Sequence, residues 1–596
     1  MQTVTIGNRR RFDWPALWLG AAVAGWMLLF VWQGLDFTDV GFWLTGYQQF
    51  YTHPDTVWPL CWLASFVGHW VGVVFGGGVV SYKIGNVVLG TLTALLAYRV
   101  LAGQFGRSHG LAALVLVATC FITRAEGGHV VLGYYGLTAL FYLAGTALLL
   151  RGLVAGQLPL VVLAGAVLGA NTFARLPNVL GLALVAGVWL HAWNRAWPLR
   201  QVVLWSAAFA GGFLLGLLLL FGLIAFHGHA AAFAHSLASL CNSNTGATYG
   251  KRSGLLLFKR FLLDQVWAFA LAASVLAITG AIACWAGRRR GLLTVGATVA
   301  GAIPVLYLNY FCDRWGWIVT GICYLALLVI VLFEWRKRPA LALLAFLAGL
   351  VLVCAPLGSN CGMQTAVCGM WLALPLVLAW LWQGVSFWLQ FEVHGEGWAR
   401  RARLPIVVRE LRIFAAILIL ALLVHALVAG WRRTFRDSPR RTAMTHAIAH
   451  PLLAGTYTTA ARARVVSELL EAMPRYTPPG ADLLACDGLP LLYFLTRTHP
   501  WLGVSWPDLD GIGVIAGLLR RQEQAGAPLP CMVRATGNTY TGTWPADAQE
   551  LSTFWQQDEA RRVFAEFGRR HGYAVAWSNA FFEILIPAPP GKAAAP

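Results

Sequence analysis

Apolar residues in this chain arrive in long uncharged blocks separated by short basic stretches. One block runs from Trp14 to Trp32 and another from Gln201 to Phe226. Others cover Val266–Trp285, Ile318–Phe333, Leu341–Leu357, Ala366–Leu389 and Ile413–Gly430. Crossing about 30 Å of hydrocarbon takes about 20 helical residues, so most of these blocks approach or exceed spanning length. The pattern predicts about thirteen spans, counting short ones near Leu111–Ile122 and Leu158–Ala170. The first reads as an uncleaved signal anchor, because it runs on through Trp26 and Trp32 with no small-residue cleavage site. A strictly soluble fold would leave these blocks facing water and is excluded.

After Gly430 the pattern changes. Residues 431–596 are richer in charge, Pro and Gly and hold no block of spanning length. Ala460–Ala472 has helical periodicity with scattered charge, whereas Leu483–Cys486 and Cys531–Arg534 read as short buried strands. Tyr573–Trp577 and Phe581–Ile586 read as a terminal hairpin. The fold class expected is therefore mainly α: a polytopic transmembrane helix bundle over residues 1–430, followed by an extramembrane α/β domain over 431–596.

Composition agrees, with 58% hydrophobic and only 12% charged residues, about half the charge of a typical soluble domain. The formal net charge of +19 would elsewhere suggest nucleic acid. Here the cations sit in short loops at Arg9–Arg11, Arg195, Arg200, Arg288–Arg290, Arg336–Arg338 and Arg400–Arg412. That is the positive-inside pattern: of 44 Lys and Arg, about 19 fall in expected cytoplasmic loops, about 8 in outer loops and about 17 after Gly430. No aromatic and basic stripe supports nucleic-acid binding. The expected placement is the cell inner membrane, with a cytoplasmic N-terminus and a periplasmic C-terminal domain. The eleven cysteines form no CxxC or zinc spacing, and Cys486 and Cys531 read equally as a disulfide or as two buried strand thiols. His227, His229 and His235 share an outer loop that has no nearby acid to complete a metal site.

The candidate chemistry lies on the outer side. Asp36 and Asp39 occupy the first outer loop, Gly34–Trp43, and share one face if that loop starts helically. A carboxylate at the water–lipid boundary can act as general base to a hydroxyl nucleophile, or can simply be a solvated or capping residue. Arg124, Glu126 and His129 lie in the second outer loop, Arg175 follows a short apolar segment, and Lys251, Arg252, Asp313 and Arg314 lie in later ones. Cations converging on a carboxylate suit a phosphate leaving group beside a base. Lys83, near the outer end of a span, fits that role or snorkels to lipid headgroups, and Arg175 and Arg314 equally suit lipid anchors.

This order of features resembles the GT-C superfamily of integral membrane glycosyltransferases, which use lipid-phosphate-linked sugars on the non-cytoplasmic face. Gly34–Trp43 resembles their acidic first-loop motif, and Ala174-Arg175-Leu176-Pro177-Asn178 their Arg-Pro-Asn-like turn. The amphipathic stretch Trp58–Phe75 resembles their juxtamembrane helix. The resemblance implies a first-loop aspartate, Asp36 or Asp39, as catalytic base and Glu126 as second-loop acid. Lys83, Arg175, Lys251, Arg252 and Arg314 would bind the donor phosphate. The donor would be a polyprenyl-phosphate sugar, and the acceptor a glycan, lipid or protein. Many members have adjacent acids in the first loop, whereas Val40 follows Asp39 here, so metal-independent transfer is expected over a bound divalent ion. A transporter or lipid-linked-sugar flippase is the alternative; no internal repeat supports it. A non-catalytic scaffold is the third reading.

Overall fold

The computed structural model describes residues 13–123, 131–241, 259, 261–274, 315–357, 362–383, 387–395, 398–406, parts of 416–430, 434–438, 440–509, 512–545 and 555–588. The first half is helical: α1 (Trp14–Leu28), α2 (Asp39–Gln48), α3 (Trp62–Phe75), α4 (Val79–Phe105), α5 (Arg107–Thr123), α6 (Tyr134–Ala155), α7 (Leu158–Asn171), α8 (Ala186–Arg195), α9 (Leu199–Phe226) and α10 (Ala230–Cys241). Then come α11 (Phe261–Ser274), α12 (Trp315–Glu334), α13 (Pro339–Cys354) and α14 (Val367–Gln383). Four described segments are long and apolar enough to cross a membrane: α4, α6, the run Leu176–Arg195 ending in α8, and α9. Eight further apolar helices are shorter, so the described residues carry fewer full-length spans than the thirteen expected. The block expected over Ala366–Leu389 stops at Gln383, and β1 (Phe387–Gly395) pairs antiparallel with β2 (Trp398–Ile406) beyond it. Phe387, Leu389, Phe391 and Val393 alternate with Trp388, Gln390 and Glu392, a period of two that suits a strand.

Close helix approach is written in small residues. On α7 and α9, Gly165 and Gly169 face Gly212 and Gly216, each pair four residues apart. A methyl group on Gly165 would lie 2.1 Å from the Phe209 carbonyl oxygen, and one on Gly212 would lie 2.0 Å from that of Val162. Small-xxx-small pairs let backbones touch where lipid supplies no hydrophobic drive between helices. The outer face of α9 stays bare, with Leu218 and Leu219 about 60% exposed, as a lipid-facing helix requires. At one end of the bundle Arg338 forks onto Glu334 at 2.8 and 2.6 Å, Trp380 donates to the same carboxylate, and Asn194 reaches the Trp335 carbonyl. The first loop sits at the other end, where α1 finishes and α4 begins.

Beyond residue 440 lie β3 (His446–Ala447), β4 (Tyr457–Thr458) and α15 (Ala460–Ala472), the last capped by Thr459. A five-stranded sheet follows, ordered β6 (His499–Pro500), β5 (Asp482–Ala485), β7 (Cys531–Ala535), β9 (Phe582–Ile586), β8 (Ala574–Ser578). β5 runs parallel to β6 and β7, whereas β9 is antiparallel to β7 and β8. Strand alternation splits the sheet's two faces. Leu483 and Ala485 pack with α16 (Pro490–Thr496) and the Leu44–Tyr47 side of α2, whereas Leu484 and Cys486 pack with α17 (Ile512–Gln524) and α18 (Trp555–Arg570). The fit of α16 to α2 is direct: Leu491 N–H donates to the Phe37 carbonyl, and a methyl group on Gly41 would lie 2.1 Å from the Leu491 nitrogen. Cys486 and Cys531 are both buried free thiols.

Gly212→Leu should lower the thermal midpoint of the detergent-solubilised protein, by overpacking costs of about 1–3 kcal/mol or more. Gly211→Ala, with nothing within 4 Å of the added methyl, should not. Equal midpoints for the two variants would refute close α7–α9 packing.

Candidate active site

The first loop, Gly34–Trp43, is held before it reaches its acids. Gly34, at φ +96°, turns the chain out of the α1 end, a conformation glycine adopts without steric cost. Lys83 Nζ, on a side chain only 2% exposed, donates to the Gln33 and Gly34 carbonyls at 3.1 and 2.9 Å. Gln33 also pairs with Tyr457, so the start of the loop joins the edge of the β3–β4 pair. The Leu35 amide donates to Asp437 Oδ2 at 2.7 Å, and Asp437 in turn forms a buried ion pair with Arg462 at 2.8 Å.

The two first-loop aspartates then part company. Helix α2 begins at Asp39, so Asp36 lies outside it and the two do not share a helical face. Asp36 folds back instead: Oδ1 accepts the Thr38 amide and hydroxyl, and Oδ2 accepts the Val40 amide at 2.9 Å. Those amides belong to the unsatisfied first turn of α2, where a carboxylate is favoured by hydrogen bonding and by the helix dipole. Asp39 keeps 30% of its side-chain exposure, and its Oδ2 accepts from Arg436 Nη1 at 2.7 Å. Its carboxyl is pushed up to about 6: burial raises it most, Arg436 pulls it down, and the neighbouring Asp36 raises it again. A carboxylate poised near neutrality is the protonation state a general base needs.

Arg436 comes from the segment following the last apolar block. Its guanidinium lies 4.8 Å from both the Phe435 and Tyr540 rings and also donates to the Thr38 hydroxyl. Tyr540 sits on the loop after β7, where it accepts from Trp506 Nε1, and Trp506 packs on Phe42 of α2. The loop after β5 reaches the same place. A methyl group on Gly488 would lie 3.0 Å from Tyr540 and 3.3 Å from Thr38. In open α/β sheets the crevice at the carboxyl ends of parallel strands, where the crossovers diverge, is the usual ligand site. Here the loops at those strand ends reach Thr38 and, through Tyr540, the Arg436 that pairs with Asp39. Asp508 accepts both the Asp487 and Gly488 amides there, and its carboxyl is pushed up to about 7, chiefly by burial and then by Asp487. Asp487 is raised by burial against the pull of Arg561, which binds it at 2.5 Å.

A cleft runs from this loop between the C-terminal end of α1 and the N-terminal end of α4. Phe30, Val31 and Val87 form apolar wall, and Lys83, Asn86 and Arg441 bring polar groups. Arg441 lies over the Phe30 ring at 4.4 Å. Arg175 is elsewhere, beyond the end of α7, donating to the Ala355 and Leu357 carbonyls at 2.7 and 3.2 Å. Its Nη1 is buried with no partner among the described residues. The structure thus puts Asp36 and Lys83 on one cleft, pairs Asp39 with Arg436 beside Asp36, and gives Arg175 a separate set of partners. Glu126, Lys251, Arg252 and Arg314 lie outside the described residues. Arg436, Asp437, Arg441 and Arg462 escaped the sequence reading. The only hint was an Arg-Asp pair directly after the last apolar block.

A bound divalent cation does not fit this donor set. Asp36 is filled by N–H and O–H donors, Asp39 faces a guanidinium, and no three His, Cys, Asp or Glu among the described residues converge. His229 is likewise engaged, its Nδ1 accepting from Trp62 Nε1 at 2.9 Å.

No family model matches the chain, and no curated protein does. Solved structures do. The Archaeoglobus fulgidus oligosaccharyltransferase in complex with zinc and sulfate aligns at TM-score 0.46 and 12% identity, over 88% of this chain and 68% of its own. The archaeal oligosaccharyltransferase AglB of Archaeoglobus fulgidus, with an inhibitory peptide and a dolichol-phosphate, aligns at 0.45 and 12% over 88% and 69%. ArnT from Cupriavidus metallidurans bound to undecaprenyl phosphate aligns at 0.40 and 13% over 96% and 97%.

Asp437→Asn should loosen the first loop from the segment after residue 430, because removing one partner of a buried pair costs about 3–5 kcal/mol. Limited proteolysis should then cut the 434–445 segment faster than in the wild type. An unchanged cleavage pattern would show that the pair does not hold the two together.

Proposed function

We infer that this protein is a membrane glycosyltransferase, moving a sugar from a polyprenyl-phosphate donor to an acceptor hydroxyl at the outer, periplasmic face. The observation that carries the reading is Asp39: a partly exposed carboxylate raised to about 6, next in the chain to Val40, which with Asp36 lines an apolar-walled cationic cleft. In the proposed step the acceptor oxygen gives its proton to Asp39 and attacks the sugar's anomeric carbon. The bond from that carbon to the phosphate oxygen breaks, and the phosphate leaves with the electron pair on its lipid. Asp36, with its oxygens filled, is assigned to holding the loop and the start of α2.

The cleft suits an isoprenyl phosphate, with Phe30 and Val87 against the chain and Lys83 and Arg441 near the head. On the sequence pattern Arg175, Lys251, Arg252 and Arg314 are further candidate phosphate ligands, and Glu126 a second-loop acid. The acceptor is a glycan, lipid or protein entering past Tyr540. Residues 1–430 are assigned the transfer and residues 431–596 the covering and positioning of the acceptor.

The test is reconstitution of the purified protein with labelled polyprenyl-phosphate sugars and an acceptor extract. Asp39→Asn should lower turnover by about 100-fold or more, the range of general-base catalysis, at unchanged protein level. Full activity of that variant would sink the assignment. Movement of the lipid-linked sugar across the bilayer without transfer would support a flippase instead.

A further inference from the structure

Among the described residues, Arg436 has a side that the resting site does not use. Its Nη1 is spent on Asp39 and Thr38, while its Nε and Nη2 make no hydrogen bond among the described residues. The side chain keeps 22% of its exposure. The guanidinium is held for presentation: rings of Phe435 and Tyr540 flank it at 4.8 Å, and its own carbonyl is gripped by Arg462 Nη1 at 2.9 Å. Phe435 also lines the cleft that contains Lys83 and Arg441, so the neighbouring residue joins Arg436 to that cleft.

We propose that Arg436 is shared between Asp39 and the phosphate of the donor, pairing with the carboxylate at rest and turning to the phosphate when the donor binds. The proposal rests on the glycosyltransferase reading and adds to it a device that arms the base only when the leaving group is present. Guanidinium binds phosphate oxygens through paired N–H groups, so an arriving phosphate competes well with a single carboxylate contact. Once Arg436 has turned, Asp39 keeps only the influences that make it more basic, burial and Asp36. The other charged or titratable groups nearby are Tyr540, on the loop after β7, and the Asp437–Arg462 pair beneath. The exchange is a coupling free energy, so it is reciprocal: whatever neutralises Asp39 must strengthen phosphate binding.

The probe is geranyl methyl phosphate, a phosphodiester whose single charge does not titrate in this range, with geraniol as uncharged comparator. Binding to the full-length protein in nanodiscs is measured by equilibrium dialysis. Wild-type affinity should rise several-fold as pH falls through about 6, where protonation of Asp39 releases Arg436. Asp39→Asn should bind more tightly than the wild type and show no such step. Arg436→Gln should weaken binding about tenfold, as the loss of one charged hydrogen bond does, and also lose the step; Arg436→Lys should recover part of the affinity. Equal binding by wild type and Asp39→Asn, or by wild type and Arg436→Gln, overturns the exchange. If sugar transfer persists in the wild type despite that result, only the exchange fails. If the wild type prefers the phosphate no more than geraniol, the donor reading falls with it.

Discussion

The buried ion pair between Asp437 and Arg462 is the joint between the first loop and the chain that follows the last apolar block. Both side chains are at most 1% exposed, and charges at that depth persist only when every donor and acceptor is answered. Here they are. Asp437 takes the Leu35 amide, the Ser438 amide and the Thr458 hydroxyl, and Arg462 spreads over the Trp544, Leu35 and Arg436 carbonyls with its plane 3.9 Å from the Trp544 ring. Four stretches far apart in the chain are fixed by one pair: the first loop, the segment after the last apolar block, helix α15, and the loop before residue 546. Removing either charge leaves the other desolvated, so the contact is specific as well as strong.

From that joint the chemistry of the first loop follows. With Leu35 pinned, Asp36 is nearly buried and spends its oxygens on the start of α2, and Asp39 is left as the more exposed carboxylate. The same pinning carries Arg436 to Asp39, because the Arg436 carbonyl is one of the acceptors that Arg462 requires. Two identical side chains three residues apart thus acquire different work from what surrounds them. The α/β region contributes through its fit to α2, where Gly41 lets α16 approach and turns the loops after β5 and β7 toward Asp39. A side chain at position 41 would hold that crevice away from the acid.

Much of this was legible in the sequence, for reasons that can be named. Apolar blocks of spanning length mark the bundle, since nothing but lipid or helix can meet them, and α15 matches its periodicity residue for residue, Ala460–Ala472. The strands at Leu483 and Cys531 are legible as short buried apolar runs, and the terminal hairpin as a pair of strands joined by turn residues. The stretch after Gln383 was mistaken for membrane because Phe387–Leu389 is as apolar as a helix end, although its period is that of a strand. The site was half legible. Acids in a short outer loop stand out against an uncharged bundle, and Lys83 stands out within a span. What sequence could not weigh was which aspartate a cap would consume, since that depends on where α2 starts. Nor could it bring Arg436 and Arg462 to the loop, since ordinary surface arginines look the same until a fold buries them.

The central claim is that Asp39, in its ionised form, takes the acceptor proton. The measurement closest to it is the pH dependence of single-turnover sugar transfer with donor saturating. A base at about 6 at rest, and higher once Arg436 has turned to the phosphate, predicts a rate that falls tenfold per unit below an apparent pKa lying above 6, with Asp39→Glu shifting the break and Asp36→Glu leaving it in place. A rate with no acid limb between neutrality and the ordinary carboxylate range, or a break that follows position 36, would contradict the account.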